Sequence, residues 1–185
     1  DLVGARRWNQ GHQPLKELVG LHQDVRGSIA RTRLQPKREA SVGFGATDVF
    51  ASVDEARGRI AELTNGQGVD VSICAVGRVD GDLLGLAFEV TGKAGTCVLL
   101  AVGSHEKSIS ISPQDLTNFS KRIQGVLYGL CNPVVDIPML LRMYREKRIK
   151  LDELVTTRYG LDDINEAYAD MHAGKNIRGV VIHDH

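Results

Sequence analysis

Two stretches constrain this chain more than anything else in it: residues 69–76 (VDVSICAV) and residues 96–102 (TCVLLAV). Both are apolar at nearly every position, which is the mark of a strand covered on both faces. Residues 80–91 lie between them and read as a helix, stopped by the run Gly92, Lys93, Ala94, Gly95. Strand, helix, strand in this order calls for a crossover and a parallel pairing. The same alternation extends both ways. Residues 47–51 read as a short strand, and Ser52 is the N-cap of a helix whose capping box Glu55 completes. Ala56, Ile60 and Leu63 form its apolar stripe, and residues 65–68 (NGQG) end it. Downstream, Ser108, Ile109, Ser110 and Ile111 alternate strictly, as an exposed or edge strand does. Ser112 and Pro113 open a helix, with proline where its missing N–H costs nothing. Residues 123–128 read as a strand, 136–147 as a helix with a basic last turn, and 154–158 as a strand. Residues 161–172 read as a helix stopped by Gly174, and 177–183 as the last strand. The expectation is an α/β fold with a mostly parallel sheet. Ligands of such sheets sit outside the carboxyl ends of the strands, where the strand order reverses. That places a candidate site at Gly77 and Arg78, at residues 100–104, and at Tyr128 and Gly129.

The chain has 185 residues, 42% of them hydrophobic, and equal numbers of acids and bases. A neutral chain is not built for broad attraction to nucleic acid or anionic membrane, so neither is expected as a partner. No apolar run reaches the ~20 residues of a membrane span. Three cysteines are too few and too odd in number for a disulfide scaffold, and the expected setting is reducing and cytoplasmic. The charge is unevenly spread. Residues 1–39 hold eight bases against four acids, so the remainder is acidic by the same margin. Residues 1–36 also carry little fold signal. Leu15, Leu18, Val19 and Leu21 fit a short helix that Gly20 and Gly27 weaken, and residues 29–34 read as a short charged strand.

Most short motifs fail on their context. Gly43, Phe44 and Gly45 resemble part of a dinucleotide fingerprint, but the third glycine is absent and the run precedes a strand. It reads as a helix stop. Cys74, Cys97 and Cys131 have no Cys-x-x-Cys spacing, so no zinc site is expected from them. The first two read as core thiols, and Cys131 as a loop residue. His183 and His185 lie in the terminal tail, and the sequon at Asn118 falls on an expected helix. Two arginines stand out against the usual reading of a solvated surface side chain. Arg78 follows a glycine at a strand end, and Arg178 opens the last strand; a guanidinium at such a place grips phosphate through paired hydrogen bonds.

Several segments resemble, in order and spacing, the zinc-dependent medium-chain alcohol dehydrogenases. They are Gly45-Ala46-Thr47-Asp48, Gly66-Gln67-Gly68-Val69-Asp70, Ala75-Val76-Gly77-Arg78, Leu151-Asp152-Glu153-Leu154, Asp163-Ile164-Asn165-Glu166-Ala167-Tyr168 and Gly174-Lys175-Asn176-Ile177-Arg178-Gly179. The nearest varieties are the nicotinoprotein alcohol dehydrogenases and the mycothiol-dependent formaldehyde dehydrogenases. The resemblance runs over residues 36–185. It implies a Rossmann-type, doubly wound, mostly parallel sheet, incomplete at its N-terminal end, that binds NAD. Val76, Gly77 and Arg78 match the segment lining the adenosine end. Leu100, Val102, Val126 and Tyr128 match the backbone contacts to the nicotinamide carboxamide, and Arg178 matches the arginine on the pyrophosphate. The strand of Ser108 to Ile111 and the strand from Ile123 to Tyr128 match edges through which two subunits join as a homodimer.

The departures are equally specific. The family's catalytic domain, with its zinc ligands and proton relay, has no counterpart in this sequence, so no catalytic residue and no metal ligand is expected. The glycine fingerprint is missing, and the acid that would hold the ribose hydroxyls falls near Thr32 or Arg33. Residues 1–35 are expected to be foreign to the family. The function implied is cofactor binding in an NAD-dependent alcohol dehydrogenase. The alternative is an inactive remnant that serves at most as a nucleotide-binding or dimerisation module.

Overall fold

The computed structural model describes residues 2–5, 28–32, 35–76, 81–100 and 108–183, with the backbone path alone for 2–5 and 28–31. Six strands form the main sheet: β1 (Leu2–Ala5), β2 (Ser28–Arg31), β3 (Asp48–Phe50), β4 (Val69–Cys74), β5 (Thr91–Leu99) and β6 (Arg122–Gly125). Their spatial order is β3-β2-β1-β4-β5-β6. This is the order of doubly wound dinucleotide folds. β2 with β3, β4 with β5, and β5 with β6 are parallel. β1 runs antiparallel to both its neighbours. The expected gap at the N-terminal end of the sheet is therefore occupied, but in the reverse direction. Leu-Val-Gly-Ala is apolar on both faces, and such a strand carries no pattern that fixes its direction.

Helices α1 (Gln35–Gly43), α2 (Val53–Thr64), α3 (Gly81–Val90), α4 (Pro113–Asn118), α5 (Pro133–Arg145) and α6 (Ile164–Ala173) connect the strands. Their caps follow from local chemistry. Ser52 Oγ accepts from Glu55 N at 3.2 Å, and Ser112 Oγ from Asp115 N at 3.4 Å. Gly174 closes α6 in the left-handed region at φ 67°. α5 starts at Pro133, three residues before the expected Asp136, so Pro138 falls inside the helix. In a helix starting at Asp136 that proline would fall in the first turn, where its missing N–H is harmless.

The core gathers Phe88, Leu84 and Ala87 of α3, Ile60 of α2, Val69 and Cys74 of β4, and Cys97 of β5. Burial of each large side chain contributes roughly 1.5–3 kcal/mol. Two buried hydroxyls lie within it. Ser72 Oγ and Thr91 Oγ1 are 2.8 Å apart, and both sit within 2.9 Å of Ala87 O. Two hydroxyl protons serve those three contacts, so no polar atom there is stranded. Lys121 is 9% exposed and ties α3 down at its carboxyl end. Its Nζ donates to Glu89 O at 3.1 Å and lies 3.6 Å from Asp115 Oδ2.

Three expectations about elements need correction. Ser108 to Ile111 do not pair as a strand; they run irregularly across α3. A Cβ on Gly81 would lie 2.3 Å from Ser108 O, so this approach needs glycine. Ile111 then packs on the core while Ile109 stays outside, which produces the same alternation a strand would. The strand expected to reach Tyr128 ends at Gly125, because Tyr128, Gly129 and Leu130 take φ values of 49°, 68° and 56°. Such left-handed backbone cannot continue a ladder. Gly92 to Gly95 do not stop the chain but begin β5, whose pairing with β4 is irregular between Val69 and Val71. A Cβ on Gly92 would sit 2.3 Å from Gln67 O, so two turns close on each other there.

The last two strands, β7 (Val155–Tyr159) and β8 (Arg178–Val181), form a separate parallel pair joined by α6. No helix among the described residues is long and apolar enough to cross a membrane.

Candidate functional site

Strand register builds the candidate site. Phe50 aligns with Arg31, Arg31 with Leu2, Leu2 with Cys74, Cys74 with Leu99, and Leu99 with Gly125. One row thus crosses the whole sheet at the carboxyl ends of its parallel strands. The residues that follow this row, Thr32, Ala75, Leu100 and Val126, share one edge. Strands lie ~4.8 Å apart, so Thr32 and Leu100, three strands apart, are separated by roughly 14 Å. The order reverses between β1 and β4, which puts the switch point in the middle of this edge.

The edge is pinned by backbone bonds that prolong the ladder one residue. Thr32 N donates to Phe50 O at 3.0 Å, Leu100 N to Cys74 O at 3.1 Å, and Val126 N to Leu99 O at 2.9 Å. The amides of Leu100 and Val126 are therefore engaged within the sheet, and a carboxamide NH2 at this edge would meet their carbonyls. Leu100 is 43% exposed and Tyr128 is 85% exposed, while Val76 packs on the core. Gly77, Arg78 and Val102 lie outside the described residues.

Arg178 is placed elsewhere. It opens β8 and lines a cleft of about 300 Å3 with Tyr159, Tyr168, Met171 and Asn176. Among the described residues its guanidinium makes no hydrogen bond or ion pair. The cleft is anchored by a polar chain: Asn176 Nδ2 donates to Tyr159 Oη at 2.9 Å, Tyr159 Oη donates to Asp170 Oδ2 at 3.0 Å, and Lys175 pairs with Asp170 Oδ1. The Lys175 hydrogen bond holds the Asp170 carboxyl below the usual carboxylate range, against the opposing effect of desolvation. The structure thus brings Val76, Leu100, Val126 and Tyr128 to one sheet edge and leaves Arg178 on the second sheet.

Sequence reasoning saw Thr32 only as a missing acid and overlooked the cations beside it. Arg38 Nη1 donates to Thr32 O at 2.9 Å across the start of α1. The signal was present, because a helix starting at Gln35 brings residues 37 and 38 back over the end of β2. The glycine pair at 43 and 45 is a helix stop, as read: Ala46 N bonds Ser41 O at 2.9 Å, and β3 follows.

The family resemblance implies two groups, a zinc ion and a nicotinamide dinucleotide. Among the described residues no cluster of three His, Cys, Asp or Glu could hold a metal. Cys74 and Cys97 are buried, and burial pushes both thiols up; Cys131 is exposed. The described residues do not fit zinc. For a nicotinamide dinucleotide the edge offers the backbone of Leu100 and Val126 at strand ends, and at the end of β2 a buried threonine, Thr32, where a carboxylate would suit a ribose diol.

Comparison with known proteins agrees with this architecture. The family model "zinc-binding dehydrogenase" matches residues 28–145. An NDMA-dependent alcohol dehydrogenase of Amycolatopsis methanolica is 44% identical over 163 residues, 88% of this chain and 44% of its own length. That match is too long to lie wholly within residues 36–185. Alcohol dehydrogenase B of Mycobacterium tuberculosis is 43% identical over 146 residues, 78% of this chain and 39% of its own. A solved benzyl alcohol dehydrogenase of Acinetobacter calcoaceticus superposes with a TM-score of 0.75 at 25% identity, covering 83% of this chain and 41% of that one. The chain spans less than half the length of these relatives. The sheet order and these matches together establish that the chain belongs to the zinc-binding dehydrogenase family, the zinc-dependent medium-chain alcohol dehydrogenases.

Proposed function

We propose that this chain is the cofactor-binding part of an alcohol dehydrogenase and holds a nicotinamide dinucleotide along the edge from Thr32 to Val126. The observation that carries the reading is the row from Arg31 through Cys74 and Leu99 to Gly125, which aligns four strand ends at a switch point. The bound dinucleotide would supply the chemistry, giving or accepting a hydride against an alcohol or aldehyde carbon. The residues of this chain bind and orient. The carbonyls of Leu100 and Val126 accept from the carboxamide and fix which face of the ring is presented. Val76 walls the crevice from the core side. Arg178 is the candidate for the pyrophosphate, a role that requires β8 to lie over the same crevice.

The reading divides the chain into a basic segment, residues 1–35, and the cofactor domain after it. The family match begins at residue 28, the first residue of β2, so β2 lies within the matched part although it belongs to that segment. A cytoplasmic setting and a homodimer complete the proposal. Among the described strands β6 is the last of the main sheet, and it is followed by the exposed apolar side chains Leu127, Leu130, Val134, Val135 and Ile137. An open edge beside an apolar face is suited to pairing with a second copy. Sedimentation should find a dimer, and Val134→Asp should yield monomer. For the cofactor, a titration of NADH or NADPH fluorescence with chelator present should saturate in the micromolar range, ~8 kcal/mol. No enhancement with either up to millimolar concentration would overturn the reading.

A further inference from the structure

The dinucleotide edge ends at β2 in a hydroxyl, where an unphosphorylated adenosine ribose is best met by a carboxylate. Thr32 is 4% exposed and immediately follows β2. From Arg31 to Arg38 the chain carries four cations and no acid. α1 begins three residues after Thr32 and has no acid in its first turn; Lys37 and Arg38 lie there instead. Arg38 donates to Thr32 O, which holds its guanidinium against the end of the strand. Lys37 is half-buried, and among the described residues its ammonium has no hydrogen bond or ion pair. The described carboxylates nearest in sequence have other partners. Glu39 accepts from Gln35 Nε2 at 2.9 Å, Asp48 pairs with Arg59 at 3.0 Å, and Asp54, at the start of α2, pairs with Arg57 at 3.4 Å. A part-buried lysine beside an arginine, with no carboxylate paired to it among the described residues, is a place that favours an anion.

We infer that this strand end takes an adenosine phosphorylated on its 2′ oxygen, so that the chain prefers NADP(H) to NAD(H). The inference rests on the reading of the edge as a dinucleotide site and adds to it the identity of the cofactor. A phosphate monoester brings nearly two negative charges and three acceptor oxygens. Lys37 meets it as a point charge and Arg38 as a planar donor fork. The diol of NAD offers neither charge nor a match to cations, and Thr32 cannot accept from two hydroxyls as a carboxylate does.

The test uses the full chain and two half-ligands, 2′,5′-ADP and 5′-AMP, titrated by calorimetry at low and at physiological salt. The expected result is that 2′,5′-ADP binds at least about tenfold tighter, with an advantage that shrinks as salt rises. Lys37→Gln should bring 2′,5′-ADP down toward the affinity of 5′-AMP. Thr32→Asp should reverse the order; because Thr32 is buried, its melting curve is taken alongside, and Lys37→Gln carries the test on its own. Equal or tighter binding of 5′-AMP by the unaltered chain overturns the inference and leaves the dinucleotide edge standing. Binding of neither compound up to millimolar concentration overturns both.

Discussion

Replacing Lys121 with methionine tests how α3 is held on the sheet. The ammonium donates to Glu89 O at 3.1 Å, lies 3.4 Å from Phe88 O and 3.6 Å from Asp115 Oδ2, and stands 5.3 Å from the centre of the Phe88 ring. A hydrogen bond from a charged group is worth about 1.5–3 kcal/mol. The cation–ring contact adds about 1 kcal/mol where it is largely dry. Relief of the desolvated ammonium offsets part of this, and methionine keeps the packing of the stem. The net loss is about 2 kcal/mol. For an m-value of ~2 kcal/mol/M, the urea midpoint should fall by ~1 M without a change of slope. Lys93 provides the control: it also stands 5.3 Å from a ring, that of Phe119, but is exposed. Lys93→Met should cost under ~0.5 kcal/mol. Equal small effects at both positions would refute the view that Lys121 caps α3.

Three further outcomes follow from the same geometry. A thiol reagent should label Cys131 quickly in the folded chain and reach Cys74 and Cys97 only in denaturant, because the first is exposed and the other two are buried. Asp170 has a folded pKa below its unfolded value, so its pairing with Lys175 and Tyr159 stabilises fully above the unfolded value and is lost as pH falls through the folded one. Lys175 is raised by the same pair, so its share is present below the ordinary lysine value and is lost as pH rises through the raised one. Asp170→Asn should remove the acid-side fall in stability, measured by urea midpoints across the acid range. Arg178→Ala should weaken dinucleotide binding by ~1–3 kcal/mol by calorimetry; unchanged affinity would remove Arg178 from the site.

The helices and central strands were legible because their signals are local. Ser52 with Glu55, Ser112 with Pro113, and Gly174 name their own caps, and the mostly apolar runs of residues 69–76 and 96–102 read as strands covered on both faces. What escaped depended on partners distant in sequence. The alternation of Ser108 to Ile111 is the pattern of an edge strand, but Gly81 at the start of α3 lets the segment lie against the helix instead. The direction of β1 had no signal, since its four residues are apolar on both faces. The separate pairing of β7 with β8 is invisible in residues that read as ordinary strands. The site was half legible. The strand ends at Leu100 and Val126 follow from topology, whereas the cations at Lys37 and Arg38 required knowing where α1 begins.

The most direct measurement of the central claim is a map of backbone amide shifts on addition of NADPH to the isotopically labelled chain. The account predicts that the largest changes fall along one edge, at Thr32, Lys37, Leu100, Val126 and Tyr128, with Cys74 and Leu99 just behind them. Changes confined to the cleft between α6 and β8, or none at saturating ligand, would contradict it.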